Sequence, residues 1–403
     1  MKIAILTASF LPKVGGAQVF AYNAARQLSA SGNDVHVYVP AENYAALGPQ
    51  FRDMIRPLPN KFYGIVRRIP ILGLYWAQRF LRRRQAAEGY EVWLVIVTFP
   101  SGYVATCLKG IVPIVLRASG EDIQKSVDLD YGLRLDPAEE ARISRTIQAY
   151  DKLAALTESV RADFLELGVL DDAIQIIPNG VDLDWFSADR DRSAIRAELG
   201  WPGDRAVILT TGRNHRKKGY DLIPAIADKL RDRGLVFRWY VVGTGADRID
   251  DEVESRGLTD FVITHEEVGV ARNPGGEWRF PDRKLVSMYQ AADIYAFPSL
   301  METFGMVQLE AMAAGAAVLS TDAPGCRDVV LHEQNGFQAR AGDVDSFSYQ
   351  LARLLEDPKL RNDLAAKAKA WVQDYSWANV ASQYEDLFAA LIEKHRTAGG
   401  SRR

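Results

Sequence analysis

Short runs of β-branched residues alternate with segments of helical period along the chain, and the alternation starts afresh near its middle. Parallel strands need a crossover of a dozen or more residues, which a helix supplies, so this pattern predicts doubly wound α/β sheets. Lys2–Leu6, Val35–Val39, Val92–Val97, Pro113–Leu116, Asp151–Leu156 and Gln175–Ile177 read as strands of a first sheet. Ala17–Ala30 reads as a helix with Val19, Ala24 and Leu28 on one face, stopped at Ser31-Gly32. Pro178-Asn179-Gly180 and a polar, Asp-rich stretch then read as a linker. The pattern resumes with strands at Ala206–Thr210, Phe237–Val242, Phe261–Thr264, Ile294–Phe297 and Val318–Ser320, and a helix at Asp221–Leu230. With 403 residues the chain exceeds the roughly 250 to 300 at which one core stops growing. Domains at 1–180 and 181–375 follow, with 376–403 a helix and frayed tail free to return to the first domain.

Composition narrows the function classes. Hydrophobic residues make up 48% and charged residues 25%, which is globular. A net charge of -3, from 49 basic and 52 acidic residues, gives no general attraction to polyanions and argues against a nucleic-acid partner. Cys107 and Cys326 lack a partner at metal or redox spacing, which suggests a reducing compartment. MKIAILTASF has no signal-peptide character, and the longest apolar run, Val92–Val97, falls far short of the roughly 18 to 20 residues that span a bilayer. The expectation is a cytoplasmic protein.

Two loops carry chemistry. Gly212–Gly219, GRNHRKKG, lies between a strand and a helix, at the sheet edge where α/β proteins bind ligands. Arg213, Arg216, Lys217 and Lys218 could clamp a diphosphate there, although a solvated basic turn fits the loop alone equally well. Pro298–Gly315, PSLMETFGMVQLEAMAAG, follows a strand and opens a helix near Phe304, whose free amides and positive dipole end suit a phosphate. Glu302 lies just before that helix, and Glu310 six residues past Phe304, about 9 Å along the axis. Carboxylates bind vicinal hydroxyls, so the two fit the sugar and the ribose of a sugar nucleotide. Taken singly, a first-turn acid and an exposed helix residue are the better reading.

Taken together, these words resemble the retaining glycosyltransferases of family 4. The E-x7-E element is ETFGMVQLE, Glu302 to Glu310, and Arg213 with Lys218-Gly219 represents the diphosphate loop. AADIYAFPS, AMAAGAAVLST, IIPNGVDLDWF and the opening PKVGGAQVFAYNAARQLSASGNDVHVYV also match. The resemblance implies the GT-B fold, two Rossmann-like doubly wound domains facing each other across a cleft, with the C-terminal helix packed back on the first. It implies that Arg213 and Lys218 hold the diphosphate and stabilise it as it leaves, replacing a metal. Phe304, Gly305 and Met306 would present amides to the donor, Glu302 would hold sugar hydroxyls and Glu310 the ribose. Gly15 and Gly16 would let the backbone approach the donor closely. The implied reaction moves a sugar from a nucleoside diphosphate sugar, UDP first, to a hydroxyl of a glycan, a lipid-linked or a small acceptor, with no cofactor and no metal.

One departure concerns the acceptor side. The family often carries HGxD where this chain reads SGED, so Ser119 stands for the histidine while Asp122 keeps its register. The only first-domain histidine, His36, falls in a strand, which argues against a histidine base. The front-face route, in which the departing phosphate takes the acceptor's proton, needs none. Asp128–Asp130 and Asp182–Asp184 are weak DxD metal candidates, and Arg248 breaks the dinucleotide pattern begun at Gly243. Lys61–Arg84 holds Lys61, Arg67, Arg68, Arg79, Arg82, Arg83 and Arg84 with no acid, interleaved with Tyr63, Trp76 and Phe80. It reads equally as a solvated basic face over core residues or as a peripheral contact with the inner face of a membrane. His265–Arg283 is expected to border the donor site. Competing functions are a sugar-nucleotide epimerase and a non-catalytic sugar-nucleotide sensor. A hydrolase is disfavoured, since both glutamates come from one helix.

Overall fold

The computed structural model describes residues 1–48, 51, 53–187, 190–266 and 278–400. The chain divides into two compact units, one holding residues up to Asn179 together with the chain from Trp377 onward, the other Gly180–Ser376. Residues 267–277, within the loop expected to border the donor site, lie outside the described residues.

The first unit is a parallel sheet of β1 (Lys2–Leu6), β2 (Asp34–Val39), β3 (Ile55–Pro57), β4 (Val92–Ile96), β5 (Ile114–Arg117), β6 (Lys152–Ala155) and β7 (Ile174–Ile176), in the order 3-2-1-4-5-6-7. Every residue of β4 is buried, as expected of a strand covered by helices on both faces. The order runs outward from β1 in both directions, so the sheet reverses between β1 and β4. Helix α1 (Gly16–Ala30) follows β1, its first turn at Gly15-Gly16, and buries Val19, Ala24 and Leu28 as its period predicts. The basic stretch folds into two helices, α2 (Phe62–Arg68) and α3 (Pro70–Glu88).

The final helix, Trp377–Gly400, belongs to this unit. The Phe20 ring of α1 meets Trp377 and Tyr384 at centroid distances of 6.2 and 5.6 Å. The Arg117 guanidinium lies 3.7 Å above the same ring and donates to Ser119 and, at 2.5 Å, to Asn179. One buried ring thus joins the end of β5, the end of the unit's first stretch of chain and its returning helix.

The second unit is a parallel sheet of β8 (Ala206–Thr211), β9 (Phe237–Val242), β10 (Val262–His265), β11 (Ile294–Ala296), β12 (Ala317–Thr321) and β13 (Phe337–Ala339), in the order 10-9-8-11-12-13. It reverses between β8 and β11. Helices α4 (Ile223–Asp232), α5 (Arg283–Ala291) and α6 (Met306–Ala314) flank it. Asp293, just before β11, accepts from Arg192, Arg196 and the Val207 amide, which fixes β11 beside β8.

Two strands go beyond the sequence reading, β3 and β13. Each has three residues and lies at the edge of its sheet, where alternation hardly registers; β7, equally short, was marked by the turn that follows it. The helix expected near Phe304 begins two residues later, at Met306, because Gly305 precedes it at a left-handed φ of 74°. Glu302 therefore stands in the loop, and only Glu310 is on the helix. Among the described residues no helix is long and apolar enough to cross a membrane.

Replacing Phe20 with Ala removes the ring shared by α1, Arg117 and the final helix, and should destabilise the first unit by about 3 to 5 kcal/mol. Urea unfolding followed by hydrogen exchange in this unit measures it, and a loss below about 1 kcal/mol would contradict the packing described.

Candidate active site

In an open α/β sheet, ligands bind outside the carboxyl ends of the strands where the strand order reverses. In the second unit that place lies beyond β8 and β11, and both chemically active loops leave from it: Gly212–Gly219 follows β8, and 297–305 follows β11. Adjacent strands bring together residues 84 apart in sequence. The Lys218 ammonium pairs with Glu302 Oε1, and both side chains are largely buried. Lys218 Nζ also lies 4.8 Å from the centre of the Phe297 ring.

The two loops are stitched along their backbones. The Lys217 carbonyl accepts from the Ser299 hydroxyl at 2.9 Å and from the Leu300 amide at 2.6 Å. Gly219 has a φ of 65°, and a Cβ there would lie 2.1 Å from the Pro298 carbonyl oxygen, so only glycine allows this approach. Ser299 donates to Glu302 Oε1 at 3.2 Å, and the Glu302 amide donates to the Pro324 carbonyl. Burial acts to raise the Glu302 carboxyl, yet the Lys218 and Lys217 charges and the bonds from Lys218 and Ser299 outweigh it and hold it below the usual range. Glu302 is therefore ionised at neutral pH.

Glu310 sits in a different environment. Tyr289 of α5 donates to its Oε2 at 2.8 Å, and the Tyr289 hydroxyl lies 2.6 Å from that of Thr211, the last residue of β8. Desolvation raises the Glu310 carboxyl to about 7, against the lowering effects of the Tyr289 bond and the Lys218 charge. The E-x7-E element thus contains one carboxylate locked in its charged form and one poised near neutrality.

Gly305 has the left-handed conformation that starts α6, and Gln308 turns back to donate to the Phe304 and Gly305 carbonyls at 3.1 and 3.3 Å. Among the described residues no backbone acceptor takes the amides of Met306 and Val307, as at the start of any helix, and the Gly305 position and the Lys218 ammonium both lie against the Phe297 ring. Phe304 itself is buried against Tyr375. Arg213 is exposed and enters no ion pair among the described residues. The structure thus brings Lys218, Glu302 and the start of α6 together, holds Glu310 further along that helix, and leaves Arg213 at the rim of its loop.

Sequence reasoning did not single out Ser299, Thr211 or Tyr289. Ser299 lies within the quoted words, and Tyr289 lies on the buried face of its helix, where its hydroxyl was the available signal.

In the first unit, Gly15-Gly16 follows β1 and Thr98 follows β4, at that sheet's own reversal, and Ser119 follows β5, the next strand. Asp122 is buried and accepts from the Thr98 and Ser119 amides at 2.7 and 2.8 Å, while the Ser119 hydroxyl accepts from Arg117. Burial raises the Asp122 carboxyl, opposing the effect of those amides. Its bonds tie two loops together. Of the acidic triplets, Asp182 caps the short helix Leu183–Phe186, and Asp130 occupies a left-handed turn position. Among the described residues no group of three or more His, Cys, Asp or Glu side chains could hold a metal ion.

Comparison with known proteins identifies the family. Residues 191–371 match the model of the "Glycosyl transferases group 1" family, and residues 14–185 that of "Glycosyltransferase Family 4". The D-inositol 3-phosphate glycosyltransferase of Xylanimonas cellulosilytica is 31% identical over 62% of this chain and 59% of its own length. The protein of the same name from Nocardia farcinica is 28% identical over 96% of this chain and 87% of its own. Among solved structures, Anabaena HepE in complex with UDP aligns with a TM-score of 0.76 at 18% identity, over 97% of this chain and all of that one. Sucrose-phosphate synthase from Thermosynechococcus elongatus aligns at 0.74 and 20%, over 96% of this chain and 99% of that one. At such identities the structures speak for the fold alone, which is GT-B. The chain belongs to the family 4 glycosyltransferases and is an enzyme that acts on a sugar donor and an acceptor.

Because the native carboxyl of Glu310 holds its proton to about pH 7, folding binds a proton between the ordinary carboxylate range and that value. Its contribution to stability is therefore greatest at low pH and declines as pH rises through 7. Glu310→Gln should remove this decline, so that urea midpoints of parent and variant diverge between pH 5 and 8. Parallel pH profiles would contradict the environment assigned to Glu310.

Proposed function

We propose that this enzyme transfers a glycosyl unit from a nucleoside diphosphate sugar, UDP-linked in the first instance, to an acceptor hydroxyl, with retention at the anomeric carbon and without a metal. The observation that carries the proposal is the pairing of the Lys218 ammonium with Glu302 at the reversal of the second sheet, four residues before α6 begins. The anion that fits there is a diphosphate, and an acid adjoining the clamp fits the sugar attached to it.

In the ligand-free state Lys218 and Glu302 neutralise one another. An arriving diphosphate competes for the ammonium, and Glu302, released, accepts from the sugar hydroxyls. Glu310, farther along α6 and oriented by Tyr289, takes the ribose hydroxyls. Exposed Arg213 is free to close over the phosphates with its forked donors. The anomeric C–O bond breaks and its electron pair goes to the diphosphate, whose growing charge meets Lys218, Arg213 and the helix amides. The acceptor oxygen attacks from the same face, and its proton passes to the departing phosphate oxygen. This route needs no protein base, which suits a first unit whose Asp122 is already bonded to two amides.

The UDP reading draws support from HepE, solved with UDP on the same fold. The relatives' name, D-inositol 3-phosphate glycosyltransferase, supports a polyol hydroxyl as one class of acceptor. None of the proteins named above is an epimerase or a sensor. A cytoplasmic location, where sugar nucleotides are available, is part of the same proposal.

Lys218→Ala and Arg213→Ala should each lower kcat/KM by roughly 10² to 10³, the range for loss of one preorganised group that stabilises developing charge. EDTA should leave turnover intact. Near-parental turnover in either variant, or strict dependence on added magnesium, would overturn the clamp.

A further inference from the structure

The helices α2 and α3 show which side of the basic stretch is buried. Phe62, Val66, Gly73, Ala77 and Leu81 turn inward, the last three at four-residue steps along α3. Gly73 allows the close crossing with α2, since a Cβ there would lie 2.5 Å from the Ile65 carbonyl oxygen. The opposite face of the hairpin is not simply polar. Ile69, Ile71, Leu72 and Tyr75, at the junction of the helices and in the first turns of α3, are 52, 84, 70 and 65% exposed. A cluster of large apolar side chains held in water marks a contact surface.

Its charge indicates the partner. No acid stands between Asp53 and Glu88, and exposed Arg67 and Arg68 precede the apolar cluster. Arg79 and Arg83 continue the Tyr75 row at four-residue steps and are also exposed. We propose that this face docks on an anionic lipid surface, with Ile69, Ile71, Leu72 and Tyr75 entering the headgroup layer and the arginines pairing with lipid phosphates. Apolar residues next to a basic row fit an interface that is oily within and negative at its edge. A second copy of the chain on this face would oppose arginine to arginine.

The face is also linked to the first unit's sheet reversal. The Tyr63 hydroxyl of α2 donates to the Thr7 carbonyl beyond β1 and lies 3.1 Å from the Ser101 hydroxyl beyond β4. Docking would therefore bring that sheet edge close to the headgroups, a location suited to an acceptor hydroxyl carried on a lipid. This corollary rests on the transferase reading, whereas the docking itself does not.

The test uses the full chain, without donor or acceptor, and vesicles of phosphatidylglycerol and phosphatidylcholine in equal parts. The parent should sediment with them, bind pure phosphatidylcholine far more weakly, and dissociate as salt rises. Ile71→Ser with Leu72→Ser should weaken binding roughly tenfold or more at fixed salt, and Arg79→Gln with Arg83→Gln should weaken it similarly and flatten its salt dependence. Unchanged thermal unfolding and unchanged UDP binding would show that each variant is folded. A parent that ignores anionic vesicles at low salt, or a double-serine variant that binds like the parent, overturns the docking face and leaves the transferase reading intact. Capture of an acidic protein by this face, with no vesicle binding, overturns it equally.

Discussion

The ion pair between Lys218 and Glu302 is the interaction on which the second unit's site depends. Two charges withdrawn from water carry a desolvation cost that their mutual attraction only partly offsets, so such a pair is a poor device for stability. Here it lies at the sheet reversal, between loops held by the Lys217 carbonyl and the close passage of Gly219 under Pro298. The surrounding bonds fix the geometry. On the proposed function, a polyanion that offers Lys218 a better partner would also free a carboxylate for hydroxyls, so that donor binding and sugar orientation would become one event.

The same architectural device appears in both units. Each sheet reverses once, and loops that leave strands at or next to the reversal carry the buried polar groups of each unit. The loops differ in kind. In the second unit they hold a charge pair, Lys218 with Glu302. In the first, Asp122 and Arg117 are taken up by bonds to Thr98, Ser119 and Asn179.

Much of this was legible in the sequence. Alternating strand and helix patterns located eleven of the thirteen strands among the described residues, because buried parallel strands are continuous apolar runs. Two of the edge strands, β3 and β13, were not located, since three residues paired on one side leave little pattern; β7, equally short, was legible because its apolar end runs directly into the Pro178-Asn179-Gly180 turn. The motif words placed Lys218, Glu302 and Glu310 on the correct loops and helix. They could not disclose that Lys218 and Glu302 face each other across 84 residues, which follows from β8 lying beside β11. Nor could they show that Tyr289 and Thr211 support Glu310, because a tyrosine on a buried helix face looks like core until its hydroxyl's partner is known. The apolar residues of the basic stretch were ambiguous for a related reason: periodicity gives two faces and does not say which one is covered.

The central claim is that Lys218 exchanges Glu302 for a diphosphate. Calorimetric titration of UDP into the parent, Glu302→Gln and Lys218→Met tests it most directly. Removing the competing carboxylate should leave UDP affinity equal to or tighter than the parent's, whereas removing the ammonium should weaken it by roughly tenfold or more, the loss of one charge-assisted contact. If Glu302→Gln weakens UDP as much as Lys218→Met does, the pair acts as a fixed unit and the exchange does not occur.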